Sequence, residues 1–168
     1  MKIELKKISF NERMSEETNA FVADLYINGK KVGYVKNDGR GGCTDIHGDS
    51  KENNDLIAEA EAYCKTLPKV KSEEYNFEYQ PNLESMVDEQ FEAWLKLKEE
   101  KKKEKLMETA ILIGKPNGGS FSYFKQKRKL ADFPTNVLQP FIDGLKAKYC
   151  TDGKVILNTN LEKLGLNV

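Results

Sequence analysis

Cys43, Asp45 and His47 stand at alternating positions of the chain. A straight strand would point their thiol, carboxylate and imidazole groups to one side, and all three groups can bind zinc. The pattern therefore predicts a metal-dependent enzyme as one alternative. The opposing interpretation is an exposed edge strand, because structural zinc sites usually use paired cysteines or histidines and His47 is the only histidine. No GxSxG motif is present, and a Cys-His or Ser-His pair would have to use His47. We expect no enzyme and no metal.

A glycine-rich segment, Asn-Asp-Gly-Arg-Gly-Gly over residues 37–42, places Arg40 at the tip of a loop. Exposed amides and an arginine are the components of an anion-binding nest. The segment lacks the GxxxxGK[ST] spacing of a P-loop and the GxGxxG of a dinucleotide-binding fold. We therefore expect no nucleotide cofactor. The favoured interpretation is a wide turn that needs glycine for positive φ, with Arg40 as a binding residue on its surface.

A third segment combines aromatic and basic side chains. Two aromatic residues precede a run of four basic ones: Phe121, Tyr123, Lys125, Lys127, Arg128 and Lys129. Aromatic rings beside cations suit stacking on unpaired bases with contacts to phosphate. The segment therefore predicts an interface for RNA or single-stranded DNA. The alternative is that Phe121 and Tyr123 face the core while the basic residues solvate a loop.

The glycine-rich segment lies at the far end of a β-hairpin that Asn28-Gly29 closes. Asn-Gly favours positive φ at both turn positions and is the strongest short-range hairpin signal. The register predicted from this turn pairs Ile27 with Lys30, Leu25 with Val32, and Ala23 with Tyr34. The predicted core face carries six residues: Phe21, Ala23, Leu25, Ile27, Val32 and Tyr34.

Residues 1–68 contain further elements around this hairpin. The first strand, Lys2 to Phe10, changes the parity of its apolar residues at Lys6-Lys7, which predicts a bulge. A short fourth strand is expected over Cys43 to His47. Asp49 with Glu52 fits a capping box, and helical spacing then continues until Pro68. The segment is predicted to be an antiparallel sheet covered by one helix.

Residues 69–108 are predicted to form a charged linker followed by a long helix. Helical spacing begins at Asn82 and continues to about Glu108. The second half of this helix has almost no apolar face. Residues 96–105 contain six lysines and three glutamates, a local net charge of +3. Such a run is typical of a solvated arm.

Residues 109–168 are predicted to form a second hairpin, a helix and a terminal strand. The hairpin strands, 109–114 and 120–125, flank a Lys-Pro-Asn-Gly-Gly turn. A helical stripe from Val137 to Tyr149 either begins near Pro140 or is kinked there. The predicted fold class is α+β: antiparallel hairpins packed on amphipathic helices, in two small units joined by a long charged helix.

Composition limits the class of protein. The 168 residues are 39% hydrophobic and 32% charged, which is enough apolar surface for a folded domain. The 27 basic residues balance 27 acidic ones, so any binding of nucleic acid must be local. Three cysteines without CxxC spacing and the lack of a long apolar run predict a cytoplasmic protein with reduced thiols and no membrane partner.

Four strings of residues resemble those of uncharacterised small proteins carried by phages and mobile elements of Bacteroidota. They are LYINGKKV at 25–32, NDGRGG at 37–42, YCKTLP at 63–68 and ILNTNL at 156–161. The resemblance spans both ends of the chain and brings no catalytic residues. It implies a genomic setting in which compact proteins without catalytic motifs are often accessory factors, including inhibitors of CRISPR nucleases.

The expected function is therefore that of a non-enzymatic binding protein. Its most concrete form is an inhibitor that docks on a host defence nuclease or on its guide RNA. Direct binding of RNA or single-stranded DNA is the first alternative, and a metal-dependent enzyme using Cys43, Asp45 and His47 is the second.

Overall fold

The computed structural model describes residues 1–71 and 77–167 of the chain. These residues form three α-helices and nine strands, and every strand pairing is antiparallel. The predicted α+β fold class is confirmed. Residues 72–76, which include part of the predicted linker, lie outside the described residues. The chain divides into two compact units, unit 1 from Met1 to Lys96 and unit 2 from Leu97 to Val168.

Unit 1 contains a four-stranded sheet with one covered face. The strands follow chain order: β1 (Ile3–Phe10), β2 (Phe21–Ile27), β3 (Lys30–Asn37) and β4 (Asp45–Gly48). Helix α1 (Lys51–Cys64) and the first half of helix α2 (Leu83–Met107) contribute Ala60, Cys64, Val87 and Phe91 to the same apolar core. Two short strands, β5 (Val70–Lys71) and β6 (Glu78–Tyr79), pair with each other. The long helix that the sequence predicts from Asn82 to Glu108 is thus confirmed.

The Asn28-Gly29 turn is confirmed, but the predicted register beyond it is wrong. Both turn residues have positive φ, and Ile27 pairs with Lys30 as expected. The register then shifts, because Tyr26 faces Lys31 while Leu25 faces Gly33. One extra residue, Val32, makes a β-bulge that reverses the parity of the rest of β3.

The bulge changes which residue of β3 enters the core. Val35 is fully buried, whereas Tyr34, predicted to face the core, is 40% exposed. Gly33 allows the adjacent pairing with β4, since a Cβ at this position would overlap the backbone carbonyl of His47. The local turn sequence carries no information about this close approach.

The bulge predicted in β1 is confirmed by a register shift between Lys6 and Ser9. Lys7 has a φ of 51° there, a left-handed conformation that a bulge accommodates. As a result, the four apolar residues of the strand contribute to one core cluster: Ile3, Leu5, Ile8 and Phe10.

Helix α1 begins one residue later than the predicted capping box requires. The N-cap is Ser50, whose hydroxyl oxygen accepts from the Asn53 amide at 3.2 Å and whose hydroxyl donates to Glu52 at 2.9 Å. The predicted cap at Asp49 is therefore wrong. Ser50 satisfies the amide at the third helical position, where an N-cap oxygen normally accepts.

Unit 2 contains a three-stranded sheet with the order β8, β7, β9. The predicted second hairpin is confirmed as β7 (Ala110–Gly114) and β8 (Phe121–Lys125), and the terminal strand is β9 (Val155–Ile156). Helix α3 (Thr135–Tyr149) covers one face through Leu138, Ile142 and Leu145. It begins before Pro140, so the alternative in which the helix starts at that proline is wrong.

The central strand β7 is completed by a buried side chain. The Asn158 Oδ1 atom accepts from the Leu112 amide at 2.7 Å, and its Nδ2 donates to the Ala110 carbonyl at 2.8 Å. Asn158 is 8% exposed. Its amide group thus pairs with β7 as another strand would, just beyond the end of β9.

Within the described residues, no helix combines the length and the apolarity needed to cross a bilayer.

Candidate nucleic-acid interface

Strand β8 exposes its two predicted stacking residues. Phe121 is 37% and Tyr123 is 55% exposed, so the alternative in which both rings face the core is wrong. Alternate residues of a strand share a face, so Phe121, Tyr123 and Lys125 lie on the same side. Phe124, on the opposite side, packs against the apolar core to which helix α3 contributes Leu138, Ile142 and Leu145. A single edge strand therefore has an anchored side and a side with two accessible rings.

A lysine from helix α2 lies over one of these rings. The Lys103 ammonium is 5.8 Å from the centroid of Phe121, within the range of a cation–π contact. The sequence predicted this lysine only as part of a solvated arm. Its position beside Phe121 was missed because a charge run contains no apolar signal that would indicate which of its residues contacts the sheet.

The basic run after β8 is held in place at both ends. The Gln126 amide donates to the Thr109 carbonyl at 2.7 Å, and the Leu130 amide donates to the Glu108 carbonyl at 2.7 Å. Residues 126–129 therefore form a short loop fastened to the segment that precedes β7. The two hydrogen bonds fix the backbone of this loop directly after β8.

Two of the four predicted basic residues have local partners. The Lys129 ammonium forms an ion pair with Glu108 at 2.9 Å. This contact raises the pKa of Lys129 and lowers that of Glu108. The Arg128 guanidinium lies 4.8 Å from the ring centroid of Phe133. Both cations are thus engaged in holding the loop.

The other two, Lys125 and Lys127, are exposed and form no ion pair with a described residue. We call these two lysines and the two exposed rings, which follow one another along β8 and the loop after it, the basic-aromatic face: Phe121, Tyr123, Lys125 and Lys127. It offers ring surfaces and free positive charge side by side. These are the two chemical groups that contact bases and phosphates in single-stranded complexes.

The zero net charge of the chain hides a large difference between its two units. Unit 2 contains 14 lysines and arginines against 8 aspartates and glutamates, a net charge of +6. Unit 1 contains 13 against 19, a net charge of −6. The basic-aromatic face thus belongs to a strongly basic unit, whose field attracts polyanions. This asymmetry was missed from the sequence because the boundary between the units lies inside helix α2.

The glycine-rich loop of unit 1 is a closed turn. Gly39 and Gly41 have φ of 85° and 83°, which confirms the interpretation as a wide turn that needs glycine. Its amides already have acceptors: Gly39 donates to the Asn37 side chain at 2.9 Å, and Gly41 donates to the Thr18 hydroxyl oxygen at 3.2 Å. These amides are not available to form an anion-binding nest.

The surroundings of this loop are acidic. A neighbouring cavity of about 280 Å³ is lined by Glu17, Asp88 and Glu92. Burial raises the pKa of Asp88, and the nearby charges of Glu84 and Glu92 raise it further, while a hydrogen bond from the Thr44 hydroxyl at 2.7 Å opposes them. An anion is repelled here. Arg40 is exposed at the loop tip, and its predicted role as a binding residue stays a prediction.

Cys43, Asp45 and His47 do not come together. Strand β4 begins at Asp45, so the alternation expected from a straight strand does not extend to Cys43. The carboxylate of Glu84, acting by charge and by hydrogen bonding, raises the pKa of the Cys43 thiol.

The imidazole of His47 instead stacks on Tyr34, with ring centroids 4.9 Å apart. The raised pKa of Cys43 makes its thiol a poor nucleophile and a poor metal ligand. Among residues 1–71 and 77–167, no group of three or more His, Cys, Asp or Glu side chains is placed to hold a metal ion.

Comparison of the chain with protein-family models, curated proteins and solved structures finds no match. The resemblance to proteins of phages and mobile elements therefore stays a prediction.

Proposed function

We propose that this protein is a non-enzymatic binding protein that binds RNA or single-stranded DNA through the basic-aromatic face. One observation carries the proposal: two exposed rings lie on the same side of β8, and the two lysines that follow them in sequence form no ion pair with a described residue. The net charge of +6 on unit 2 supports it, since a basic unit attracts a polyanion to that surface.

The spacing of the rings favours unpaired bases. Residues two apart in a strand are roughly 7 Å apart, so Phe121 and Tyr123 each have room for one base. Bases inside a duplex are stacked on each other and present no free ring surface to a protein. Stacking of a base on an aromatic side chain contributes about 1–3 kcal/mol, whichever base it is. Lys125 and Lys127 then contact the phosphates between or beyond the stacked bases.

Within the setting that the resemblance implies, we propose guide RNA as the target. The protein would bind the guide RNA of a host defence ribonucleoprotein in the cytoplasm and inhibit its nuclease. A guide RNA has single-stranded segments whose bases are exposed before they pair with a target. Occupying such a segment would block target recognition without any catalytic residue in the inhibitor.

The first test measures binding directly. The double variant Lys125→Glu with Lys127→Glu is compared with wild type by fluorescence anisotropy on labelled single-stranded RNA and DNA. We expect the affinity to fall at least roughly tenfold, because two phosphate contacts become repulsive. The matched control, Lys146→Glu with Lys163→Glu, changes the charge of unit 2 equally on exposed residues outside the face and should keep most of the affinity. Equal losses in both variants would contradict the proposal.

Docking on the nuclease protein itself is a second candidate, and the net charge of −6 on unit 1 favours it. An acidic surface is attracted to the basic channels in which nucleases hold nucleic acid. The two candidates differ in their sensitivity to ribonuclease. A complex recovered from cells expressing the tagged protein should fall apart on ribonuclease treatment if guide RNA is the target. A complex that survives the treatment indicates docking on protein.

A further inference from the structure

A second basic site lies at the turn end of the β7–β8 hairpin. A cavity of about 260 Å³ is lined there by Lys115, Lys154, Ser120, Ser122 and Phe121, among others. Lys115 follows the last residue of β7, and Lys154 precedes the first residue of β9. The pairing of Gly114 with Val155 brings these two strand ends together, so lysines far apart in the chain line the same cavity.

The lysine and serine side chains of this cavity have no partner among the described residues. Neither Lys115 nor Lys154 forms an ion pair with a described residue, and both are exposed. The hydroxyls of Ser120 and Ser122 make no hydrogen bond within residues 1–71 and 77–167. None of the described residues that line the cavity is acidic. The cavity of similar size in unit 1 has the opposite character, since Glu17, Asp88 and Glu92 line it. An anion is therefore attracted to the cavity of unit 2 and repelled from the cavity of unit 1.

The size of the cavity limits its ligand. Pockets that hold whole small molecules typically have about 300–1,000 Å³, so this one suits a chemical group rather than a complete nucleotide. Gly114 keeps this end of the hairpin close-packed, since a Cβ there would lie 2.9 Å from the Ser120 carbonyl oxygen and 3.0 Å from the Phe121 Cβ. Two ammonium groups and two hydroxyls match a compact, multiply charged oxyanion such as phosphate.

The number of charges distinguishes a terminal phosphate from an internal one. A phosphate monoester carries a charge of about −1.5 to −2 at neutral pH and has three acceptor oxygens. An internal phosphodiester carries one negative charge. The two positive charges of Lys115 and Lys154, with no carboxylate among the described residues that line the cavity, match the charge of the monoester. Phe121 lines both this cavity and the basic-aromatic face. Ser122 lies on the opposite side of β8 from the rings of Phe121 and Tyr123, so the end of a stacked strand reaches the cavity by passing over the exposed edge of β8.

We propose that this cavity is an end-phosphate site, which binds the terminal phosphate monoester of a single strand whose bases stack on the basic-aromatic face. The inference rests on the proposed function, because the strand must first be held by β8. It adds a preference that stacking and general charge do not provide: the protein recognises the end of a strand.

The test uses one internally labelled oligouridine in three forms, with a 5′-phosphate, with a 3′-phosphate, or with hydroxyls at both ends. Fluorescence anisotropy gives the affinity of the full-length protein for each. We expect one phosphorylated form to bind roughly tenfold more tightly than the hydroxyl form, the effect of charge-assisted hydrogen bonds to one group. Lys115→Gln with Lys154→Gln should abolish this preference and keep the affinity for the hydroxyl form. The control variant Lys146→Gln with Lys163→Gln should retain the preference.

A competition on the wild-type protein gives a second measurement that needs no variant. Uridine monophosphate should displace the phosphorylated strand at a lower concentration than uridine does. Equal binding of all three strands by the wild type would overturn the end-phosphate site and leave the proposed function standing. Equal weakening of all three strands in the Lys115 and Lys154 variant would also overturn it, because the cavity would then hold an internal phosphate. Failure of every strand to bind would overturn the proposed function itself.

Discussion

The salt dependence of binding tests which lysines of the basic run contact phosphate. Each phosphate contacted on a single strand releases condensed counterions and adds about −0.7 to the slope of log affinity against log salt concentration. Lys125 and Lys127 form no ion pair with a residue that the structure describes, whereas Lys129 pairs with Glu108 at 2.9 Å. A strand with hydroxyl ends should therefore bind with a slope of about −1.4 from these two lysines.

This slope predicts the effect of each substitution. Between about 50 and 200 mM salt, a slope of −1.4 lowers the wild-type affinity about sevenfold. Lys125→Gln and Lys127→Gln should each halve the slope, and the double variant should bring it close to zero. Lys129→Gln should leave it nearly unchanged, because Glu108 already neutralises that ammonium group. Anisotropy titrations at four or more salt concentrations, on variants with matched thermal unfolding, give the slopes.

Lys127 and Lys129 provide a matched pair of substitutions for measuring the salt slope. Lys127 and Lys129 are two residues apart in the same loop and have the same chemistry. If Lys129→Gln reduces the slope as much as Lys127→Gln does, the ion pair with Glu108 does not withhold Lys129 from the ligand. If none of the three variants changes the slope, nucleic acid does not bind at this face.

Three further predictions concern stacking and stability. Tyr123→Ala should weaken binding of a single strand by about 1–3 kcal/mol, roughly 5–150-fold, while Tyr34→Ala, an exposed ring of unit 1, should not; equal losses would contradict stacking at Tyr123. Asn158→Leu should lower the free energy of unfolding by about 2–6 kcal/mol in urea denaturation, because it leaves a buried amide and a buried carbonyl of β7 without partners; a change near zero would mean that water replaces the side chain. Asp88 has a raised pKa in the folded state, so the stability linked to its protonation is present in acid and lost as the pH rises through that pKa. Asp88→Asn should therefore be more stable than wild type at pH 7, by a margin that shrinks toward pH 4, and a margin that grows in acid would refute the sign.

Local patterns predicted most elements because their causes are local. The Asn28-Gly29 turn, the parity change at Lys6-Lys7 and the length of helix α2 depend on backbone preference and side-chain spacing within a few residues. The register of β3 depends on a contact with another strand. Its bulge at Val32 fits the close approach of the His47 carbonyl to Gly33, which no pattern within the hairpin could indicate.

For the candidate interface too, some features follow from local sequence and others from tertiary packing. The sequence alone determined that Phe121, Tyr123 and Lys125 occupy alternate positions of one strand, because the spacing of residues along a strand sets the side on which each lies. Only the tertiary structure decided that the rings of Phe121 and Tyr123 are exposed. Tertiary packing likewise decided that Lys129 forms an ion pair with Glu108. It also decided that Lys115 and Lys154 line one cavity. Burial, ion pairing and the meeting of strand ends depend on which distant segments pack together, and sequence spacing does not contain that information.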